Sequence, residues 1–239
     1  MKKIVIIVAV MSLFSCSERE VLLPQAEVSV LKTVMDHSPI YMFFEIENKK
    51  DTIINVNRKN SISSTNWVYN IDKRLPLKLV IPEVIKLQEK KSTSSHSKKD
   101  AIDVFSYSDS LSNALAFYPF TEVKYKYDKE FSKFFIKKHA EKYMSYHNFT
   151  INFNKDNAIT IDGLEVDRNE FVAFIKQFAD FTIDGKLTML HLNFDKNLSY
   201  GAYLNNKILA WKATSQKVQL SSFEFIYDEK QLPECGCKL

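Results

Sequence analysis

"YNIDKRLPL" at residues 69–77 and "LNFDKNLSY" at residues 192–200 share the core Asn-x-Asp-Lys-x-Leu, with Asp72 and Asp195 lying 123 positions apart. A short match means little in a chain rich in Asn, Asp, Lys and Leu, so the string alone decides nothing. Its setting does. In both places an apolar, strand-like run ends at the motif, a helix-like run begins after it, and another strand pattern follows. Two strand-to-helix corners in equivalent places imply a chain built from two related units.

The C-terminal copy is the more legible. "FTINFN" (149–154) and "AITIDG" (158–163) alternate apolar and polar residues, the period of half-buried strands, and Asp162-Gly163 forms a tight turn. In "VDRNEFVAFIKQFADF" (166–181), Asp167 and Glu170 are spaced as a capping box. Phe171, Phe174, Ile175 and Phe178 then make an amphipathic stripe. "KLTMLHLNF" (186–194) reads as a buried strand, and Ser199 caps a helix bearing Tyr200, Leu204, Ile208 and Trp211 on one face. "KVQLSSFEFIYD" (217–228) is the last strand.

The N-terminal copy has the same order without the first helix. "IYMFFEIEN" (40–48) and "TIINVN" (52–57) form a hairpin, and "NWVYNID" (66–72) is a strand. "LPLKLVIPEVIKLQEKK" (75–91) has helical spacing, although Pro82 should break or kink that helix or else mark its start. "EKKSTSSHSKKD" (89–100) is an exposed loop, residues 101–114 are unassigned, and "LAFYPFTEVKYKYD" (115–128) supplies a strand. "KEFSKFFIKKHAEKYMSYHN" (129–148) reads as one bridging amphipathic helix, expected to pack as a connector rather than lie on a membrane.

The beginning of the chain carries a different signal. MetLysLys, an apolar run from Ile4 to Leu13, and Leu13-Phe14-Ser15-Cys16 resemble a bacterial lipoprotein signal, cut before a Cys that is then lipidated. That run is far short of the roughly 20 residues needed to span a bilayer as a helix. Loss of Lys2 and Lys3 with the signal leaves 31 basic against 29 acidic side chains. So balanced a chain has no electrostatic footprint for nucleic acid. With 45% hydrophobic residues, 18 Phe and only four Gly, the remainder is composed to bury a core.

The stretch from "AITIDGLEVDRNEFVAFIKQF" through "LTMLHLNFDKNLSYGAYLNNKIL" to "VQLSSFEF" resembles the periplasmic domain of the ExbD/TolR family of biopolymer-transport proteins. The resemblance covers residues 149–227, and more faintly 40–128 as a shortened second copy. It implies an α+β fold of two small α/β sandwich units, each with helices on one face of a sheet. It also implies a non-enzymatic domain that dimerises or engages envelope proteins of a TonB- or Tol-type system. Transport-driving members carry a transmembrane helix with a proton-handling Asp; the apolar segment here contains none, so no proton relay is expected. The expected layout is a signal (1–15), a tether (16–39), a degenerate unit (40–128), the bridging helix (129–148), the clear unit (149–230) and a Cys-containing tail (231–239).

Candidate chemistry is sparse. With Cys16 lipidated, Cys235 and Cys237 remain for a tail disulfide or crosslink, or for a thiol-redox role. Nothing nearby is placed to lower a thiol pKa. His37, His96, His139, His147 and His191 are scattered, without metal-ligand spacing, so no metal or other cofactor is expected. Asp72, Lys73, Asp195 and Lys196 are read as structural corner residues, because no nucleophile–base set assembles around them. Two other roles remain open: redox chemistry at the tail, and ligand binding by a surface-exposed lipoprotein.

Overall fold

The computed structural model describes residues 19–48, 50–128, 130–181 and 185–231. The first half forms a sheet from β1 (Gln25–Ala26), β2 (His37–Glu47), β3 (Asp51–Asn57), β4 (Asn66–Ile71), β5 (Asp103–Asp109) and β6 (Ala114–Pro119). Helix α1 (Leu77–Ser92) connects β4 to β5. The second sheet comprises β7 (Lys124–Tyr127), β8 (Tyr146–Phe153), β9 (Ile159–Ile161), β10 (Leu164–Glu165), β11 (Leu187–Asp195) and β12 (Val218–Tyr227). Its helices are α2 (Ser132–Lys138), α3 (Ala140–Tyr143), α4 (Phe171–Phe181) and α5 (Tyr200–Lys212).

Both sheets are laid out alike. The first runs β3-β2-β4-β5 and the second β9-β8-β11-β12. Each has an antiparallel hairpin at one side followed by two parallel neighbours. Each also receives a strand from early in its half, beside its last strand: β1 lies parallel to β5, and β7 parallel to β12. The fold is thus α+β with two sheet-and-helix layouts.

Helices α1 and α5 fill the space between the sheets. Tyr203 of α5 packs edge-on against Phe105 of the first sheet and Phe194 of the second. One hydrophobic cluster runs from Ile40, Trp67 and Phe105 through Val80, Val84 and Leu204 to Ile151 and Phe194. A helix flanked by two sheets needs no single apolar stripe. Accordingly Tyr200, Tyr203, Leu204, Asn206, Lys207, Ile208 and Ala210 of α5 are all buried, while the expected Trp211 is only half-buried.

Several local expectations are corrected. Pro82 lies inside α1 without ending it. The Lys78 carbonyl, which a residue with an N–H at position 82 would engage, instead accepts the Tyr127 hydroxyl from β7 at 3.2 Å. Helix α4 starts at Phe171, because Asp167 closes a local turn onto the Asn169 N–H at 2.8 Å rather than capping the helix. The expected bridging helix is two short ones, broken at His139 (φ −117°, ψ 38°), so His139 and His147 share no helix.

The segment 115–128 is not one strand: β6 joins the first sheet and β7 the second. The third parallel strand of the first sheet is β5, from the unassigned stretch. Part of the expected tether is structured, as β1 and the start of β2. Nor are helices confined to one face of each sheet. Phe135 and Tyr143 of α2 and α3 pack on Phe225 of the second sheet, on the side away from α5.

Candidate functional site

The two corners have the same internal geometry. The main-chain carbonyl of Asp72 accepts the Leu75 N–H at 3.1 Å, and that of Asp195 accepts the Leu198 N–H at 3.0 Å. One carboxylate oxygen of each takes the N–H two residues on, from Arg74 at 3.0 Å and from Asn197 at 2.7 Å. Such Asx-type turns reverse a chain leaving a strand and aim it into a helix.

The corners then pair with each other. Leu77 N–H donates to the Leu198 carbonyl at 2.9 Å, and Tyr200 N–H to the Leu75 carbonyl at 2.7 Å. Lys78 N–H reaches the Lys196 carbonyl at 2.7 Å, and Gly201 N–H the Lys73 carbonyl at 3.0 Å. A shift of 123 residues converts each bond of one pair into the other, so the junction has local two-fold pseudosymmetry. The donors are the first two residues of α1 and α5, whose N–H groups have no partner within their own helices. Each corner caps the other's helix. Ser199 adds its own cap to α5, accepting the Ala202 N–H at 3.2 Å. Close approach constrains position 201, where a Cβ would meet the Lys73 Cβ at 3.0 Å.

The carboxylates are held separately. Asp72 is fully buried, and Arg74 grips it with Nε at 2.8 Å and Nη2 at 2.7 Å while the Leu22 N–H adds a bond at 3.2 Å. Burial pushes the Asp72 carboxyl up, but these donors outweigh it and hold it below the ordinary carboxylate range. Asp195 accepts the Asn197 backbone and side-chain amides. Lys196 turns away to Asp228 at 2.6 Å, and Lys73 is exposed. Cys16, Cys235 and Cys237 lie outside the described residues.

A second constellation was not anticipated. Beneath α2 and α3, the outer face of the second sheet is lined by Asn148, Thr150, Asn152, His191 and Asn193, most of them buried. The Asn193 side chain accepts the Ser132 N–H and donates to the Ser132 hydroxyl, both at 2.8 Å, pinning α2 to β11. Asn148 gives its amide N–H groups to the Tyr143 and Tyr146 carbonyls, so its Oδ1 takes the His191 Nε2–H at 2.9 Å. That leaves His191 Nδ1 as an acceptor without a donor. Burial pulls the His191 pKa down to about 4, so the ring is neutral at physiological pH. Among the described residues, Asn152 Oδ1 and His191 Nδ1 are two buried polar atoms in this layer without partners. Buried polar atoms normally find partners, so this concentration marks the layer out.

A cleft of about 100 Å³ opens at the edge of this layer. Phe131, just before α2, and Lys133 of α2 line it on one side, and Thr150, Asn152, Thr160, Asp162 and Gly163 of the sheet on the other. Asp162 (φ 50°) and Gly163 (φ 89°) form the expected β9–β10 turn, which folds the Asp162 carboxylate back to accept the Thr150 N–H at 3.0 Å.

Two buried ion pairs also escaped the sequence reading. Lys91 meets Asp103 at 2.6 Å beside the Trp67 ring. Between the sheets, Lys207 pairs with Glu224, whose other oxygen accepts the Tyr203 hydroxyl at 2.7 Å. Tyr125 completes that network, 3.1 Å from Tyr203. An irregularity in the β11–β12 register after Leu190 sets Glu224 opposite core-facing Leu192. In sequence, Lys207 and Glu224 are two ordinary charges; their proximity exists only across helix and sheet. Comparison with known protein families, curated proteins and solved structures found nothing that matches this chain.

Proposed function

We propose that this chain is a lipid-anchored envelope protein of the bacterial periplasm, related in plan to the ExbD/TolR periplasmic domain. Its role is that of an accessory or scaffold in a TonB- or Tol-type energy-transducing or envelope-integrity system, exerted by protein–protein binding rather than catalysis. The supporting observation is the junction of the corners, where each half caps the other's helix and fixes the two sheets against a shared core. Such an arrangement is a rigid spacer with a sheet edge at each side. Among the described residues β3 pairs only with β2, and β10 only with β9. Free edges accept a partner strand through main-chain hydrogen bonds.

Photo-crosslinkers placed at Ile53 and Asn55 on β3 test this reading in intact cells. Crosslinks to energy-transducing or Tol-type envelope proteins are the expected result. Recovery of only cytoplasmic or sugar-uptake proteins overturns it. Anchoring is tested separately: Cys16→Ser is expected to release the protein from the membrane fraction and to abolish incorporation of labelled fatty acid.

A further inference from the structure

We propose that the outer face of the β2–β3 hairpin, bearing Tyr41 and Phe43, rests on the lipid headgroup layer of the membrane that holds the Cys16 acyl chains, with Tyr41 as its interfacial anchor. The inference rests on the lipidation of Cys16 proposed above.

Ile40 and Met42 of β2 are fully buried on the helix side of the first sheet, so Tyr41 and Phe43 point the other way. Their rings stack at 5.9 Å, and Tyr41 is 37% exposed. Other parts of the outer sheet faces have covers. Leu31 and Val34 lie over Val68, Val104 and Phe117 on the β4–β6 part of the first sheet. Helices α2 and α3 pack on the second. On the hairpin side the described residues leave an open cleft of about 490 Å³, whose lining includes Arg19, Val21, Leu23, Tyr41, Phe43 and Asn57.

The length of chain leading to this face says what covers it. Arg19 lies on the face, its guanidinium 5.8 Å from the Phe43 ring centroid and 3.6 Å from the Glu45 carboxylate. Cys16 precedes Arg19 by three residues. Three residues span at most about 10 Å when fully extended. An acylated Cys16 sits at the membrane interface, so the Tyr41–Phe43 face is held close to the headgroups. A tyrosine suits that depth, having an apolar ring and a polar hydroxyl. Arg19 is balanced by Glu20 and Glu45, so seating depends on the rings rather than on anionic lipid. The rival face is the basic one, with exposed Lys133, Lys137, Lys138 and Lys142 on α2 and α3. Its aromatic side chains Phe135 and Tyr143 are packed inward on Phe225, and it lies on the opposite side of the stack of sheet, helices and sheet.

Spin labels read by electron paramagnetic resonance test this in the lipidated full-length protein, with Cys235→Ser and Cys237→Ser leaving one labelled site. The label is placed at Asn57→Cys, opposite Tyr41 on β3, or at Lys137→Cys on α2. In phosphatidylcholine vesicles, collision of the position-57 label with a water-soluble nickel chelate is expected to fall at least about fivefold relative to the unanchored Cys16→Ser protein in buffer. The position-137 label is expected to change less than about twofold, and added phosphatidylglycerol to alter the position-57 result by less than about twofold. Tyr41→Asp is expected to return position 57 to its accessibility in buffer while flotation with vesicles persists. Tyr41→Trp, which keeps an interfacial ring, is expected to retain the protection. A protein that floats with vesicles but leaves position 57 open overturns the proposal and spares the anchoring. One that does not float overturns both. Protection that survives Tyr41→Asp, or that appears at position 137 instead, also overturns the proposal.

Discussion

Asp72 and Asp195 close the same turn under different electrostatic loads. Asp72 is buried against Arg74, which also stacks on Phe44 at 4.4 Å, whereas among the described residues the Asp195 carboxylate bonds its neighbour Asn197. Asp72→Ala should destabilise the fold by about 2–3 kcal/mol and Asp195→Ala by about 1 kcal/mol, read from urea unfolding. Their pH signatures separate from that of His191. Because the folded Asp72 value is depressed, its contribution is full above the unfolded value near pH 4 and is lost as pH falls through the folded value. His191 acts at higher pH. Its folded value of about 4 lies below the unfolded value near 6.5, so the unfolded chain takes up a proton that the folded one refuses. Stability should fall by on the order of 3 kcal/mol between about pH 6.5 and 4, and His191→Gln should flatten that window.

At the scale of elements, α1 shows how tertiary contact overrides a local rule. Pro82 removes one helical hydrogen bond, and Tyr127 from the neighbouring sheet occupies the carbonyl left behind. Tyr127→Phe should cost about 1 kcal/mol in the native chain and close to nothing once Pro82→Ala restores the helical donor. A double-mutant cycle by thermal unfolding measures that coupling. The corner junction is tested at Gly201. Gly201→Val is expected to drive the Lys73 main chain away and cost about 1–3 kcal/mol, with unfolding accelerated because both helix starts lose their caps together. The hairpins, the Asp-Gly turn and most strand limits follow from local periodicity. Helix α4 begins later than its capping-box pattern indicates, because Asp167 had an equally local alternative in its own Asx turn.

For the whole molecule, the shared core and the Lys207–Glu224 network make the two halves interdependent. Lys207 is fully buried; burial pulls its ammonium down while Glu224 pushes it back. Lys207→Met leaves Glu224 unpaired and should cost about 3–5 kcal/mol, with most of that recovered in Lys207→Met/Glu224→Leu. Residues 19–128 and 130–231 expressed separately should not fold, while the intact chain should unfold in one transition by calorimetry and circular dichroism alike. Two transitions, or a folded fragment, would contradict a common core.

The sequence by itself determined most of the elements and their order, but not β5, the split of 115–128 into β6 and β7, or the break at His139. Period-two and period-3.6 patterns state which face of each segment is apolar, and the Asp-x-x-Leu turns are closed within four residues. Only the tertiary structure decided that the two echoed corners face and cap one another, that α5 is buried on nearly every side, and that β7 leaves its neighbours for the other sheet. The physical reason is common to all three. Main-chain carbonyls offered across a junction, a charge pair contributed by a helix and a strand, and a polar layer closed by a distant helix depend on distances between segments. No local period encodes such distances. The repeat of Asn-x-Asp-Lys-x-Leu was visible as a string, but its role as a mutual cap exists only where residues 72–78 and 195–201 meet.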